Sequence, residues 1–227
     1  MRSFRALLAT VLAALAFAAP ASAHHPGTNL DEVMGDKEKY FQAIDKPAPS
    51  FELADAEGRR VRLSDFADKI VVLHFIYASC PDVCPLHAEK IAEIQTLIKD
   101  TPMKGMVQFV TITTDPANDT AEVMKGYGPA HGLDSSNWIF LTKQAGQPED
   151  VTRKLAGEYG LKFVKTEDGL QMHGMVTHII DRGGRLAAKF HGLRFEPVNM
   201  VLYINGLTNA QAPKRDRSLW ERMKDWF

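Results

Sequence analysis

Hydrophobic residues occur in this chain in two patterns, short unbroken runs and longer stretches with helical spacing. Residues 70–77, IVVLHFIY, form a nearly continuous β-branched run, which predicts a central strand covered on both faces. In residues 85–100, isoleucines recur at helical spacing behind Pro85, which suits the first position of a helix. The same patterns predict, in order, a strand at 107–113, a helix at 119–128, a strand at 137–142, a helix at 148–160, a hairpin at 174–190 and a helix at 196–208.

The order of these elements predicts the fold class. A strand, a helix and a strand in succession imply a parallel pair joined by a crossover, and the later hairpin adds antiparallel strands. This is the order of an α/β, thioredoxin-like fold, in which helices flank a central mixed sheet and an N-terminal hairpin extension includes residues 60–63. We expect the domain to span residues 47–209, between a flexible N-terminal segment at 24–46 and an amphipathic C-terminal tail at 210–227.

The first 23 residues have the pattern of a secretory signal peptide. Arg2 and Arg5 precede an apolar run at 6–19, and Ala-Ser-Ala at 21–23 suits a cleavage site. We therefore expect export to a bacterial periplasm, with an N-terminal membrane anchor as the alternative if the segment is retained. Without Arg2 and Arg5 the chain has 25 basic and 28 acidic residues, a net charge of −3, and no basic block, which argues against a nucleic-acid partner.

The only two cysteines, Cys80 and Cys84, lie in the sequence YASCPDVC, residues 77–84, which we call the cysteine loop. It leaves the carboxyl end of the predicted central strand and enters a helix, which is the usual place for a site in an open α/β sheet. Since Cys84 comes at or beside the start of that helix, we expect its thiol to be unusually acidic. A structural disulfide here would close a very short loop and stabilise little, which leaves dithiol exchange or metal binding.

A metal would need a third ligand, and histidine is the natural candidate. We expect His74, inside an apolar strand, to be a core residue. His87 follows Cys84 by three residues and could face the site, although a solvated helix position is the plainer interpretation. His173 and His178 are five residues apart on or beside one strand, so they should point to opposite faces, and at most one can reach the cysteines.

Three segments together resemble a known family. CPDVCP, TITTDPANDT and MHGMVTHIIDRGGRLAAKFHG are similar, in this order, to the Sco (or SenC) family of copper-binding assembly factors for cytochrome c oxidase, over roughly residues 45–209. The resemblance implies a thioredoxin-like fold and three metal ligands, Cys80, Cys84 and His173, with His178 as a structural strand residue. Met172 stands where the family usually has an aspartate.

The donor types agree with copper as the metal. Two thiolates favour a soft cation, and one imidazole completes a three-coordinate Cu(I) site, whereas a closed zinc site takes four ligands. The same set can hold Cu(II) with an added oxygen or water. The resemblance implies a periplasmic copper chaperone, not an enzyme, that supplies the CuA-type site of cytochrome c oxidase. Its partners would be an oxidase subunit or another copper protein as acceptor, and a thioredoxin-like reductant.

The alternative is a periplasmic thiol–disulfide oxidoreductase that uses Cys80 and Cys84 directly, for example on the cysteines of a copper-site acceptor. Against it, the spacing has one residue more than the Cys-x-x-Cys of thioredoxin-type motifs. The chain also has no proline between Pro148 and Pro197, where such enzymes place a cis-proline.

The sequence leaves the roles of three further features open. Asp115 and Asp119 could line the site or a partner surface, although helix capping by Asp119 is the plainer interpretation. His24 and His25 would form the mature N-terminus and could hold copper, although a polar tail is plainer. The C-terminal SLWERMKDWF is amphipathic, so it could pack on its own domain or associate with a membrane surface or a protein partner.

Overall fold

The computed structural model describes residues 29–165, 171–172 and 174–210. The strands are β1 (Phe41–Pro47), β2 (Glu52–Ala54), β3 (Arg60–Arg62), β4 (Ile70–Ile76), β5 (Val107–Thr113), β6 (Trp138–Leu141), β7 (Val164–Lys165), β8 (Gln171–Met172), β9 (Val176–Ile180) and β10 (Arg185–His191). The α-helices are α1 (Leu30–Lys37), α2 (Val83–Lys99), α3 (Ala121–Ala130), α4 (Val151–Glu158) and α5 (Pro197–Asn209). Two 3-10 helices cover Leu63–Phe66 and Pro102–Met106.

Six strands form one mixed sheet in the order β1-β10-β9-β4-β5-β6. Strands β4, β5 and β6 are parallel, since helical crossovers connect them, and β9, β10 and β1 add antiparallel strands on the other side. Helices flank this sheet, and the hairpin of β2 and β3 near the N-terminus lies outside it. The predicted thioredoxin-like α/β fold with an N-terminal hairpin is therefore confirmed.

The central strand β4 is buried along its whole length, as its unbroken apolar run predicts. Alternate residues of β4 face two apolar clusters, one on each side of the sheet. The first cluster contains Val72 and Ile76 and is covered by α1, α2, α3 and α5. The second contains Leu73 and Phe75 and is covered by α4 and the β2–β3 hairpin. Because both faces of β4 are packed, the position of its carboxyl end, where the cysteine loop begins, is fixed.

The segment before the predicted domain has more order than its polar sequence suggests. We expected a flexible segment at 24–46, but the structure has α1 from Leu30 and then β1, which pairs with β10 at the sheet edge. Helix α1 is short and weakly patterned, and it depends on tertiary contacts with α5, including a hydrogen bond from the Tyr203 hydroxyl to Asp31 at 2.7 Å. The flexible-segment prediction was therefore wrong from residue 30 onwards.

Glu38 connects the N-terminal elements to α5. Its carboxylate is buried and accepts hydrogen bonds from the backbone N–H groups of Tyr40 and Glu196 and from the Asn199 side chain, at 2.9–3.1 Å. Burial raises the pKa of this carboxyl, but the three hydrogen bonds outweigh it and keep the pKa below its usual range. Glu38 is therefore held as a carboxylate at this junction.

Helix α3 meets the sheet in close contact at Gly128. A Cβ on this residue would lie 2.3 Å from the Trp138 ring, whose indole N–H donates to Thr111 Oγ1 at 2.8 Å. Gly126, one half-turn earlier, has nothing within 4 Å of the equivalent position.

Among residues 29–165, 171–172 and 174–210, no helix combines the length and apolarity that a membrane crossing requires.

Candidate metal-binding site

The cysteine loop joins the carboxyl end of β4 to the first turn of α2, as the sequence predicts. Both cysteines are unbridged and buried, Cys80 with 7% and Cys84 with 1% of its surface exposed. Their side chains are within hydrogen-bonding reach of each other. The loop therefore holds two unbridged thiols together, with Cys80 the closer to solvent.

Hydrogen bonds at the start of α2 converge on the sulfur of Cys80. The Cys84 backbone N–H donates to Cys80 Sγ at 3.4 Å, and the Asp82 N–H and the Tyr77 hydroxyl donate to the same atom. Burial raises the pKa of the Cys80 thiol, but these donors and the Cys84 thiol together lower it below its ordinary value. The helix terminus thus stabilises negative charge on Cys80.

The acidic thiol is consequently not the one that the sequence indicated. Cys84 is the second residue of α2, and its side chain points into the core. Burial raises the pKa of its thiol, and the hydrogen bond that the thiol donates to Cys80 raises it further. The prediction that Cys84 is unusually acidic was wrong, because an anion at a helix N-terminus is stabilised by the N–H groups that point at it. Those groups point at Cys80, which precedes the helix.

Asp119 is packed beneath the cysteine loop. Its carboxylate is 2% exposed and accepts the Ala78 N–H on both oxygens at 3.2 Å, and the Thr113 hydroxyl donates to it as well. Burial is the main reason that its pKa lies above the ordinary aspartate value. The expectation that Asp119 caps a helix was wrong, since Thr120 caps α3 by accepting from the Val123 N–H at 3.4 Å.

His87 lies one turn below Cys84 on the buried face of α2. It is fully buried, its Nε2 lies 2.8 Å from Thr177 Oγ1 on β9, and its ring centroid is 4.7 Å from that of His74. The prediction of a solvated position for His87 was wrong. The prediction that His74 is a core residue is confirmed, since it is fully buried and its Nε2 lies 3.2 Å from Thr111 Oγ1.

His178 faces the opposite side of the sheet from the cysteines. It is fully buried beside the ring of Tyr159, and its Nε2 lies 3.3 Å from the Tyr159 carbonyl oxygen. Burial lowers the pKa of His178 to about 3, so its imidazole is neutral at physiological pH. These contacts are those of a structural strand residue.

His173 lies outside the described residues, as do the side chain of Met172, the signal segment at 1–23, His24 and His25, and the tail from residue 211. The neighbouring elements are described. Strand β9 begins at Val176 and runs antiparallel to β4, with Thr177 opposite His74. The start of β9 therefore lies at the same edge of the sheet as the end of β4 and the cysteine loop. Within the described part of the chain, no three histidine, cysteine or acidic side chains form a metal-binding cluster.

Comparison with known proteins identifies the family. A family model described as SCO1/SenC matches residues 42–207. A SCO2-like protein of Rickettsia prowazekii is 30% identical over 143 residues, which cover 62% of this chain and 67% of that protein. Bradyrhizobium japonicum ScoI, whose structure was solved with copper bound, is 27% identical with a TM-score of 0.57, over 71% of this chain and 99% of that one.

A second solved structure supports the fold. BsSco, described as a member of the Sco family of cytochrome c oxidase assembly proteins and as containing a disulfide switch, has a TM-score of 0.65. Its sequence identity is 17%, over 75% of this chain and 98% of that one. The family match includes the cysteine loop, the segment with Asp119 and both strands of the C-terminal hairpin. The resemblance seen in the sequence is thereby confirmed, and the chain belongs to the SCO1/SenC family.

Proposed function

We propose that this protein is a periplasmic copper chaperone. It binds Cu(I) or Cu(II) through Cys80, Cys84 and His173, and it delivers the metal during assembly of the CuA-type site of cytochrome c oxidase. The copper ion is its cargo, and the protein supplies ligands and a docking surface for the acceptor.

The observation that carries this proposal is the pair of adjacent, unbridged thiols in the cysteine loop. The two thiols are buried and lie within hydrogen-bonding reach of each other, just beyond the carboxyl end of β4. Two adjacent sulfur ligands select a soft cation, and Cu(I) is stable with as few ligands as the three proposed here. The hydrogen bonds to Cys80 favour its thiolate, which is the form that binds a metal.

The strand order supports His173 as the third ligand. His173 precedes β9 by three residues, and β9 begins beside the end of β4, from which the cysteine loop leaves. His178 is turned to the other face of the sheet, and His87 and His74 are enclosed in the core. The resemblance to the family selects the same residue.

The relatives support the cargo and the pathway. Bradyrhizobium japonicum ScoI was solved with copper bound, and BsSco is described as belonging to a family of cytochrome c oxidase assembly proteins. The signal-like sequence at 1–23 supports a periplasmic location. In that compartment a thioredoxin-like reductant would keep the dithiol open, because oxidation to a disulfide removes both sulfur ligands. The tail at 210–227 provides an amphipathic segment for a membrane surface.

Anaerobic titration of the reduced protein with Cu(I), in competition with a chelator, tests the ligand set. We expect about one copper per chain, and we expect Cys80→Ser, Cys84→Ser and His173→Ala each to weaken binding by at least roughly tenfold. His191→Ala, which removes an exposed imidazole at the end of β10, is the matched control and should bind like the wild type. Wild-type affinity in His173→Ala would exclude His173 as a ligand, and the absence of copper binding by the wild type would refute the proposal.

Direct thiol–disulfide exchange is the second candidate function. It is favoured by the lowered pKa of Cys80 and by the adjacency of a second thiol that could resolve a mixed disulfide. Among the described residues no peptide bond is cis, so the cis-proline of thioredoxin-type enzymes is not found there. His173→Ala separates the two functions, because it should abolish tight copper binding and leave oxidation of the cysteine pair unchanged.

A further inference from the structure

Asp119 is an unusual buried carboxylate, because no basic side chain of the described residues forms an ion pair with it. In the described part of the chain, the other two buried acids, Asp55 and Glu38, are better compensated. Asp55 pairs with Arg59 at 2.7 Å, and Glu38 accepts three hydrogen bonds and has Lys90 nearby. Burying a carboxylate without a cation is costly, so the groups that do contact Asp119 must account for its presence.

Those groups belong to the cysteine loop and to the end of β5. Both carboxylate oxygens accept the Ala78 N–H, two residues before Cys80, and the Thr113 hydroxyl fixes the carboxylate from the β5 side. The Thr113 hydroxyl in turn accepts the Asp115 N–H at 2.9 Å. A chain of hydrogen bonds therefore runs from the end of β5 through Asp119 into the loop.

We propose that Asp119 is a positioning residue for the cysteine loop, which holds the segment from Ala78 to Cys80 in the conformation that keeps the two sulfur atoms together. Without this anchor the segment retains the Cys80 N–H to Tyr77 carbonyl hydrogen bond, at 3.2 Å, but loses its link to β5. Cys80 would then move away from Cys84 and become exposed without unfolding of the domain. The part of this inference that concerns copper rests on the proposed function, whereas the effect on thiol access does not.

Alkylation of Cys80 by iodoacetamide in the reduced, metal-free protein tests the proposal. The substitutions are Asp119→Ala, which removes the acceptor, and Asp119→Asn, which keeps one carbonyl oxygen. Asp115→Asn is the matched control, because Asp115 lies in the same segment but its side chain accepts from Asn118 at an exposed position. Alkylation rate constants are measured across pH, which separates a change in the pKa of the Cys80 thiol from a change in its exposure. They are also measured over a series of urea concentrations below those that unfold the protein.

We expect Asp119→Ala to increase alkylation of the Cys80 thiolate by at least about tenfold, since a hydrogen bond to a charged group is lost, with Asp119→Asn in between and Asp115→Asn unchanged. The faster reaction should depend little on urea, as expected for local opening. A wild-type rate in both Asp119 variants would overturn the proposal. The proposal would also be overturned if the alkylation rate rose steeply with urea and followed the free energy of unfolding of the whole domain. If Asp119→Ala does not fold, the same comparison is made with Asp119→Asn.

Copper binding provides the second measurement. Asp119→Ala should weaken Cu(I) binding by roughly tenfold in chelator competition, because part of the binding free energy would be used to order the loop. Failure of the wild type to bind copper would refute the proposed function and would leave the alkylation result to decide the role of Asp119.

Discussion

Acid should destabilise this domain from about pH 6.5 downwards, because two histidines are buried in their neutral form. His74 and His178 are fully buried on opposite faces of the sheet, and burial lowers the pKa of each to about 3. His74 faces the ring of His87, and Lys189 near His178 lowers the pKa of His178 further. Between about pH 3 and pH 6.5, the unfolded chain therefore binds more protons than the folded one. Stability is unaffected above the unfolded pKa and is lost as the pH falls toward the folded pKa.

The size of the effect follows from the two pKa shifts. One extra proton on the unfolded state changes the free energy of unfolding by about 1.4 kcal/mol per pH unit, so two histidines give about 2.7 kcal/mol per unit in the middle of the range. At pH 5 the combined loss relative to pH 8 is about 4 kcal/mol. Since small domains are stable by roughly 5–15 kcal/mol, this loss is a large part of the total.

Urea unfolding of the reduced, metal-free protein between pH 5 and pH 8 measures this slope. His74→Gln and His178→Gln keep a hydrogen-bonding side chain without a titrating group, so each should remove about half of the slope that these two histidines cause, and the double variant should remove all of that contribution. His191→Gln, at the exposed end of β10, is the control and should leave most of the slope. A wild-type slope below about 1 kcal/mol per pH unit, or an unchanged slope in the double variant, would refute the reasoning.

Three further predictions concern single contacts. Iodoacetamide at pH 7 should alkylate Cys80 at least about tenfold faster than Cys84, because Cys80 is more exposed and has the lower pKa, and peptide mass spectrometry that found equal rates would contradict this. Gly128→Ala should lower the free energy of unfolding by about 1–3 kcal/mol through its clash with the fixed indole, whereas Gly126→Ala in the same helix should raise it by up to about 1 kcal/mol, and the opposite ranking in urea unfolding would contradict the packing argument. Glu38→Gln should cost about 1–3 kcal/mol, since an amide N–H₂ would face one of three buried donors, and an unchanged urea midpoint would show that the carboxylate is not needed there.

The order of elements in this domain could be predicted from the sequence, because burial on both faces gives β4 an unbroken apolar run. Helical spacing likewise identified α2, and the position between them located the cysteine loop. The N-terminal elements could not be predicted in the same way. Strand β1 has no fully buried residue, so its sequence has no strand-like hydrophobic pattern, and it is stabilised by pairing with β10, about 150 residues away.

The position of the cysteine loop was predictable from the sequence, but its electrostatics were less so. The spacing of the cysteines indicates that both belong to one site, but it does not show at which sulfur the N–H groups of α2 point. Similarly, His87 is polar and follows Cys84 on a helix, and only the packing of α2 on the sheet shows that it is buried against β9. Asp119 stands just before a predicted helix, where an N-cap residue is expected. Its actual contact with Ala78 depends on the pairing of β4 with β5, which the local sequence does not show. In each case the missing information is a contact between distant parts of the chain.

The pairing of β1 with β10 also has a consequence for synthesis. Because β1 lies against β10 at the end of the sheet, the sheet cannot be completed until the chain has been made and released through residue 191. A polypeptide still emerging from a ribosome would lack that partner, and its N-terminal elements would remain without their final packing. Maturation of the domain should therefore come late, as a step that follows release of the chain through residue 191.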